Sequence, residues 1–205
     1  ELSDHKKYPD KEVMVTETIS LMDVKKTLSC WIDAIQSEVN SLVNKEAIVR
    51  IKPHLVQALL ESQPNAKVLP GKGVFTIKPP RKFKARIVVC GNFNTGPQLS
   101  KQEIYSGGIE ITSLRTGLRI SAMRNWEVGT TDVSTAFLNA YLKLTYLILV
   151  WAPNVAAMAG ATEHGEIWIV RKALYGLREA PRAWGDERDS KLTPLRVATA
   201  VMIYR

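Results

Sequence analysis

Between Lys67 and Gly91 the chain reads as an antiparallel hairpin, with strand-type residues on both sides of a Pro79-Pro80-Arg81 turn and apolar–polar alternation along K-F-K-A-R-I-V. One arm reads V-L-P-G-K-G-V-F-T-I-K and the other F-K-A-R-I-V-V-C-G. Lys67, Lys72, Lys78, Arg81, Lys82, Lys84 and Arg86 fall inside it, and no carboxylate does. The two-residue period of a strand puts Lys82, Lys84 and Arg86 on one face, where they can jointly hold a triphosphate or a nucleic-acid backbone. A solvated face whose lysines guard a sheet edge is the alternative, and the hairpin alone leaves both open. A net charge of +8 and a pI near 9.5 favour an anionic partner, nucleic acid being the usual one, although solubility alone can account for a basic balance.

A second stretch carries an isolated carboxylate. Thr130 to Ala140 reads T-T-D-V-S-T-A-F-L-N-A. Val128, Thr130, Thr131 and Val133 suggest a strand from Trp126 to Val133, and Ala136, Phe137, Ala140 and Tyr141 recur at helical spacing after it. Asp132 at that junction can hold a cation against a phosphate, as nucleotidyl transfer requires. The commoner use of such an aspartate is to cap the next helix.

The remaining pattern is mixed helix and strand. Glu1 to Thr27 reads as a polar, mobile lead-in with little function. Ser29 is a candidate N-cap for a helix to about Lys45, with Trp31, Ile35, Val39, Leu42 and Val43 on one face and a W-x-x-A-x-x-x-E-x-x-x-L spacing from Trp31. Pro53 to Ser62 reads as a short helix begun by proline. Gly91 to Gly108 reads as loop. Ile111 to Asn125 reads as a helix with Ile111, Leu114, Leu118 and Ala122 toward the core and Arg115, Arg119 and Arg124 elsewhere. Strands are expected over Thr145 to Trp151 and Glu166 to Lys172, with a loop from Pro153 to Gly165 between them. Ala173 to Trp184, A-L-Y-G-L-R-E-A-P-R-A-W, reads as a structured turn before a helix, with Tyr175 offering a ring on which a base or sugar can rest. A Gly-Pro helix entry with core aromatics is the commoner use of those residues.

Cys30 and Cys90 stand far apart without C-x-x-C or histidine neighbours, so neither a zinc site nor a disulfide framework is indicated and a reducing compartment fits. No charged leader precedes an apolar core, and the longest apolar run, Leu147 to Pro153, is too short to span a bilayer. An intracellular protein with no membrane partner is expected. The start at Glu1 and the strand-like V-A-T-A-V-M-I-Y-R from Val197 suggest part of a longer polypeptide, or a decayed reading frame.

Taken in order, the helix from Trp31, the V-F-x-I-K and F-K-A-R-I-V arms, the D-V-x-x-A-F-L-N block and K-A-L-Y-G-L-R-E-A-P-R-A-W resemble the reverse transcriptase domain of copia-type LTR retrotransposon polyproteins, over roughly residues 29 to 190. The resemblance implies an α+β, right-hand polymerase fold: a lead-in over 1–28, a fingers-like region over 29–126 and part of a palm over 127–205. It implies DNA synthesis on an RNA or DNA template with primer, deoxynucleoside triphosphate and Mg2+, beside the rest of a Pol polyprotein, in the cytoplasm or in virus-like particles. Asp132 then becomes the catalytic carboxylate that binds both metal ions, with the backbone of Val133 close to the second. Phe137 matches the ring set against the sugar 2′ position. Lys84 and Arg86 match cations that hold the triphosphate, Tyr175 and Gly176, with Pro181, match the turn near nucleotide and template, and Lys72, Lys78, Arg81 and Lys82 are expected against nucleic acid.

The chain departs from the family pattern at several positions. The family's Y-x-D-D block, expected some way past A-P-R-A-W, is not found, and Asp186 and Asp189 stand three apart in a polar helix and do not replace it. Gly73 takes the place of a tryptophan, Asn139-Ala140 that of N-G, and Pro53 to Ser62 looks inserted. Two-metal catalysis needs carboxylates from both blocks, so this chain by itself is expected not to polymerise DNA. A degenerate or domesticated nucleic-acid-binding relic is the non-enzymatic alternative, and a purely structural domain is the third.

Overall fold

The computed structural model describes residues 15–93, 110–129 and 132–193. In chain order these hold β1 (Glu17–Ile19), α1 (Leu21–Lys26), a 3-10 turn (Leu28–Trp31), α2 (Ile32–Asn44), β2 (Ile48–Ile51), α3 (Pro53–Ser62), β3 (Lys67–Lys78) and β4 (Lys82–Val89). A 3-10 turn (Gly91–Phe93), α4 (Ile111–Met123), a 3-10 turn (Ala136–Asn139), β5 (Ile148–Trp151), α5 (Asn154–Met158), β6 (Ile167–Val170) and α6 (Ala180–Leu192) follow.

The strands form one mixed sheet in the order β1-β3-β5-β6-β2, with β4 also paired to β3. The hairpin is as read: Lys78 stands opposite Lys82 and Gly71 opposite Val89. The length of β3 lets it join two groups of strands. Lys67–Pro70 pairs in parallel with β5, and the later residues pair antiparallel with β4 and β1. The sheet therefore spans both regions that the resemblance divides at residue 126.

Alternation along β5 and β6 shows what each face meets. Ile148, Val150, Trp168 and Val170 turn into the main core, while Leu149 and Ile167 turn the other way to meet Val56 of α3, with Leu59 and Leu60 beside it. Covered on both faces, β5 reads as a continuous apolar run. On the main face α2 lays Ile35, Val39 and Leu42 against the sheet. Trp31 is fully buried, edge-on to Phe75 (5.3 Å) and Phe83 (4.8 Å). Each such side chain contributes about 1.5–3 kcal/mol of burial.

One carboxylate is buried inside this architecture. Glu166 is 2% exposed, and the Arg50 guanidinium grips it through Nε and through Nη2 at 2.8 Å. The Trp168 indole N–H (2.7 Å) and the Glu163 backbone N–H (3.0 Å) donate to it as well. Burial pushes its pKa up, but the Arg50 hydrogen bond and the other donors outweigh that and hold it below the usual carboxylate range.

Several expectations need correction. Residues 17–26 are not a lead-in: β1 pairs with the end of β3, and Ser20 caps α1 by accepting from the Asp23 N–H. Ser29 is not the N-cap of α2, because a 3-10 turn intervenes and Trp31 takes that position without a side-chain bond. Val43 is exposed. Residues 126–129 and 132–133 form no strand, since no described strand lies alongside to take their backbone hydrogen bonds, and Trp126 and Val128 stand exposed. The loop after Pro153 contains α5. The helix near Ile111 exists but buries none of its residues, so Ile111, Leu118 and Ala122 do not face the core among the described residues. The expected loop 91–108 and the terminal stretch from 197 lie largely outside the described residues.

Candidate functional site

The site is built on the outer edge of β4. Alternate residues of an antiparallel edge strand point their N–H groups away from the sheet, and an unpaired row of them is a liability. Here two of these groups are taken up. The Ile87 N–H donates to a Glu38 carboxylate oxygen (3.1 Å), and the Val89 N–H donates to the Tyr175 carbonyl (2.7 Å). The second bond pins the turn after β6 against the hairpin.

That contact demands glycine twice. Gly176 has φ +89, in the left-handed region, and a Cβ there would stand 2.0 Å from the Val89 carbonyl oxygen. A Cβ at Gly91 would stand 2.3 Å from the Gly176 carbonyl oxygen. Two backbones thus cross with no room for a side chain, and the crossing fixes where the Tyr175 ring lies.

Two side chains meet at that ring. The Arg86 guanidinium carbon lies 5.4 Å from the Tyr175 ring centroid, within cation–π range. Phe137 meets Tyr175 edge-on, with centroids 5.2 Å apart and an interplanar angle of 76°. Phe137 arrives from the 3-10 turn Ala136–Asn139, which is entered through Thr135 in the left-handed conformation, φ 51, an uncommon state for a β-branched residue. The Asn139 amide reaches back to the Ser134 and Thr135 carbonyls at 3.4 Å each. The Leu142 N–H bonded to the Arg171 carbonyl and the Ala173 N–H bonded to the Ala140 carbonyl hold this turn to the end of β6.

Lys84 shares the strand face of Arg86, both half-buried, while Ala85, Ile87 and Val89 turn into the core. Burial lowers the Lys84 pKa, and the cations Arg86, Lys78 and Lys82 push it the same way against the pull of Glu38. Burial raises the Glu38 pKa, offset in part by the Ile87 N–H and by Lys84 and Arg86. Lys78 and Lys82 face each other at the end of the hairpin, Arg81 sits in its turn, and Lys72 lies exposed opposite Val88. Like charges opposed across a ladder repel, and an anion between them relieves that.

Asp132 is exposed, and no hydrogen bond or ion pair holds its side chain among the described residues; Val133 beside it packs partly against the core. Asp186 and Asp189 lie in α6, each beside an arginine: Arg182 at 2.9 Å and Arg188 at 2.7 Å. Among the described residues no three His, Cys, Asp or Glu side chains group closely enough to hold a metal ion. One carboxylate does not fit a two-ion centre. Cys30 and Cys90 are free thiols.

The structure thus brings together Arg86, Tyr175, Gly176 and Phe137, with Lys84 on the same strand face as Arg86. Three residues of this neighbourhood carried no functional role in the sequence reading. Glu38 is a carboxylate among the core-facing residues of α2, and its place in the W-x-x-A-x-x-x-E spacing was the available signal. Gly91 and Thr135 gave none, because a backbone crossing leaves no periodicity.

Residues 55–203 match the family described as reverse transcriptase (RNA-dependent DNA polymerase). The chain belongs to this family. The match encloses the hairpin, the Asp132 block and the Tyr175 turn. Among curated relatives, the chain is 30% identical over 193 residues to the retrovirus-related Pol polyprotein from transposon TNT 1-94 of Nicotiana tabacum, an alignment covering 90% of this chain and 14% of that protein. It is 28% and 29% identical to the retrovirus-related Pol polyproteins from transposons RE2 and RE1 of Arabidopsis thaliana, over 75% of this chain and 10% of each of those. The chain therefore spans about a tenth to a seventh of the length of these relatives. No solved structure matches it. This reverse transcriptase relative has, among its described residues, no helix long and apolar enough to cross a membrane.

Proposed function

We propose that the chain is the fingers and first part of the palm of an RNA-directed DNA polymerase from a copia-type retrotransposon polyprotein, and that it binds the incoming deoxynucleoside triphosphate. The observation that carries this is the convergence of Arg86, Tyr175 and Phe137 from three separate elements, with Lys84 beside them. Two cations on one strand face suit a triphosphate, whose charge they offset where it grows during transfer. In this reading the Tyr175 ring supplies a platform for base or sugar, and Phe137, edge-on to it, is the ring that limits the space at the sugar 2′ position. In this reading Asp132 is the catalytic carboxylate, with the Val133 backbone close by, and the ion is Mg2+. One carboxylate falls short of two-ion chemistry, so the chain's own work is to bind and orient the nucleotide. The partners are a template–primer, reached by Lys72, Lys78, Arg81 and Lys82, and the rest of the polyprotein. The fingers and palm regions divide near residue 126.

Titration with a deoxynucleoside triphosphate checks this. Arg86→Ala should weaken binding on the order of tenfold, the loss of one charge-assisted contact, and Tyr175→Ala should weaken it as well. This chain alone should not extend a primer. Unchanged nucleotide affinity in Arg86→Ala would sink the reading. A binding relic without catalysis is favoured instead by the Lys78 and Lys82 pair at the hairpin tip, and it predicts affinity for nucleic acid but none for the free nucleotide.

A further inference from the structure

We propose that Glu38 is a positioning residue that sets the anion affinity of the Lys84 and Arg86 face, acting as a fixed counter-charge seated on the strand that carries both cations. This rests on the reading of that face as a polyphosphate site. Glu38 projects from α2, whose Ile35, Val39 and Leu42 are buried against the sheet. It is a half-buried carboxylate, and its partner is a backbone group: the Ile87 N–H at 3.1 Å. Ile87 follows Arg86 directly and stands three residues from Lys84.

Holding the strand edge needs an acceptor there but no charge. A neutral amide oxygen would also accept the Ile87 N–H, and α2 could have covered the edge without burying a carboxylate. Ionised Glu38 does something an amide cannot: it attracts Lys84 and Arg86, which in turn favour its charged form. That attraction opposes any anion approaching the same cations from solvent. It also offsets part of the repulsion between the two neighbouring cations when no anion is bound. Glu38 therefore trades affinity for an ordered, weakly charged resting face, which suits a ligand that must arrive and leave in every cycle.

Tripolyphosphate binding to the full chain, followed by calorimetry beside urea unfolding, tests this with three variants. Glu38→Gln keeps the acceptor for Ile87 and removes the charge; its affinity should rise about fivefold, the upper range for a partly exposed ion pair, with no loss of stability. Glu38→Ala, which removes the acceptor too, should bind more tightly than the parent chain while unfolding at lower urea. Lys84→Ala should bind about tenfold more weakly. Glu38→Gln binding like the parent, while Lys84→Ala binds weakly, overturns the role of Glu38 and leaves the polyphosphate site standing. Unchanged affinity in Lys84→Ala overturns both.

Discussion

A methyl group added at Gly176 would stand 2.0 Å from the Val89 carbonyl oxygen, on a residue whose φ of +89 already disfavours any side chain. A methyl added at Gly117, midway along α4, would meet nothing within 4 Å. The same substitution should therefore have opposite signs. Gly176→Ala should destabilise by about 2–4 kcal/mol, since strain and a backbone clash act together. Gly117→Ala should stabilise by about 0.5–1 kcal/mol through helix propensity. Urea unfolding midpoints of the two variants check both, and Gly176→Ala should also lose nucleotide affinity because the Tyr175 ring is displaced.

Among the elements, α2 and its preceding 3-10 turn bear most on β3 and β4. Trp31 fills the space between Phe75 and Phe83, and its indole N–H has no hydrogen-bond partner among the described residues. Trp31→Ala should cost about 3–5 kcal/mol, as large buried aromatics do when truncated. Trp31→Phe should cost clearly less, because no hydrogen bond is lost with the indole; thermal unfolding of the pair separates the two. Elements of this kind were legible in the sequence where local chemistry decides them. Pro53 opened α3 and the helix ran to Ser62 as read, and the Pro79-Pro80 break set the hairpin. What was not legible depends on distant partners. The periodicity of Ile111, Leu118 and Ala122 named a face without saying what it packs on, and the structure leaves it exposed. Strand-type residues at Trp126 and Val128 name a strand only if another strand lies alongside. The Arg86, Tyr175 and Phe137 cluster was legible as three motifs, but its geometry comes from the Gly91 and Gly176 crossing, which no pattern marked.

For the molecule entire, two carboxylates give stability opposite slopes with pH. Glu166 has its folded pKa held down, so its contribution is present above the ordinary glutamate value of about 4.3 and is lost as pH falls through the lowered one. Glu38 has its folded pKa raised, so it favours folding below the ordinary value and loses that as pH rises through the raised one. Arg50→Ala strands the Glu166 carboxylate and should cost about 2–4 kcal/mol at neutral pH. It should also shrink the acid-side loss of stability, read as the urea midpoint against pH, because only the Glu163 and Trp168 donors remain to hold the carboxylate down. The long β3 strand has a different consequence, for the order of events during synthesis. Ribosomes add about 5–20 residues per second, so the hairpin arms are complete several seconds before Ile148 emerges to pair with Lys67–Pro70. Through that interval the nascent chain carries an open strand edge of its own, a natural place for a chaperone to hold it and for a neighbouring nascent chain to pair wrongly.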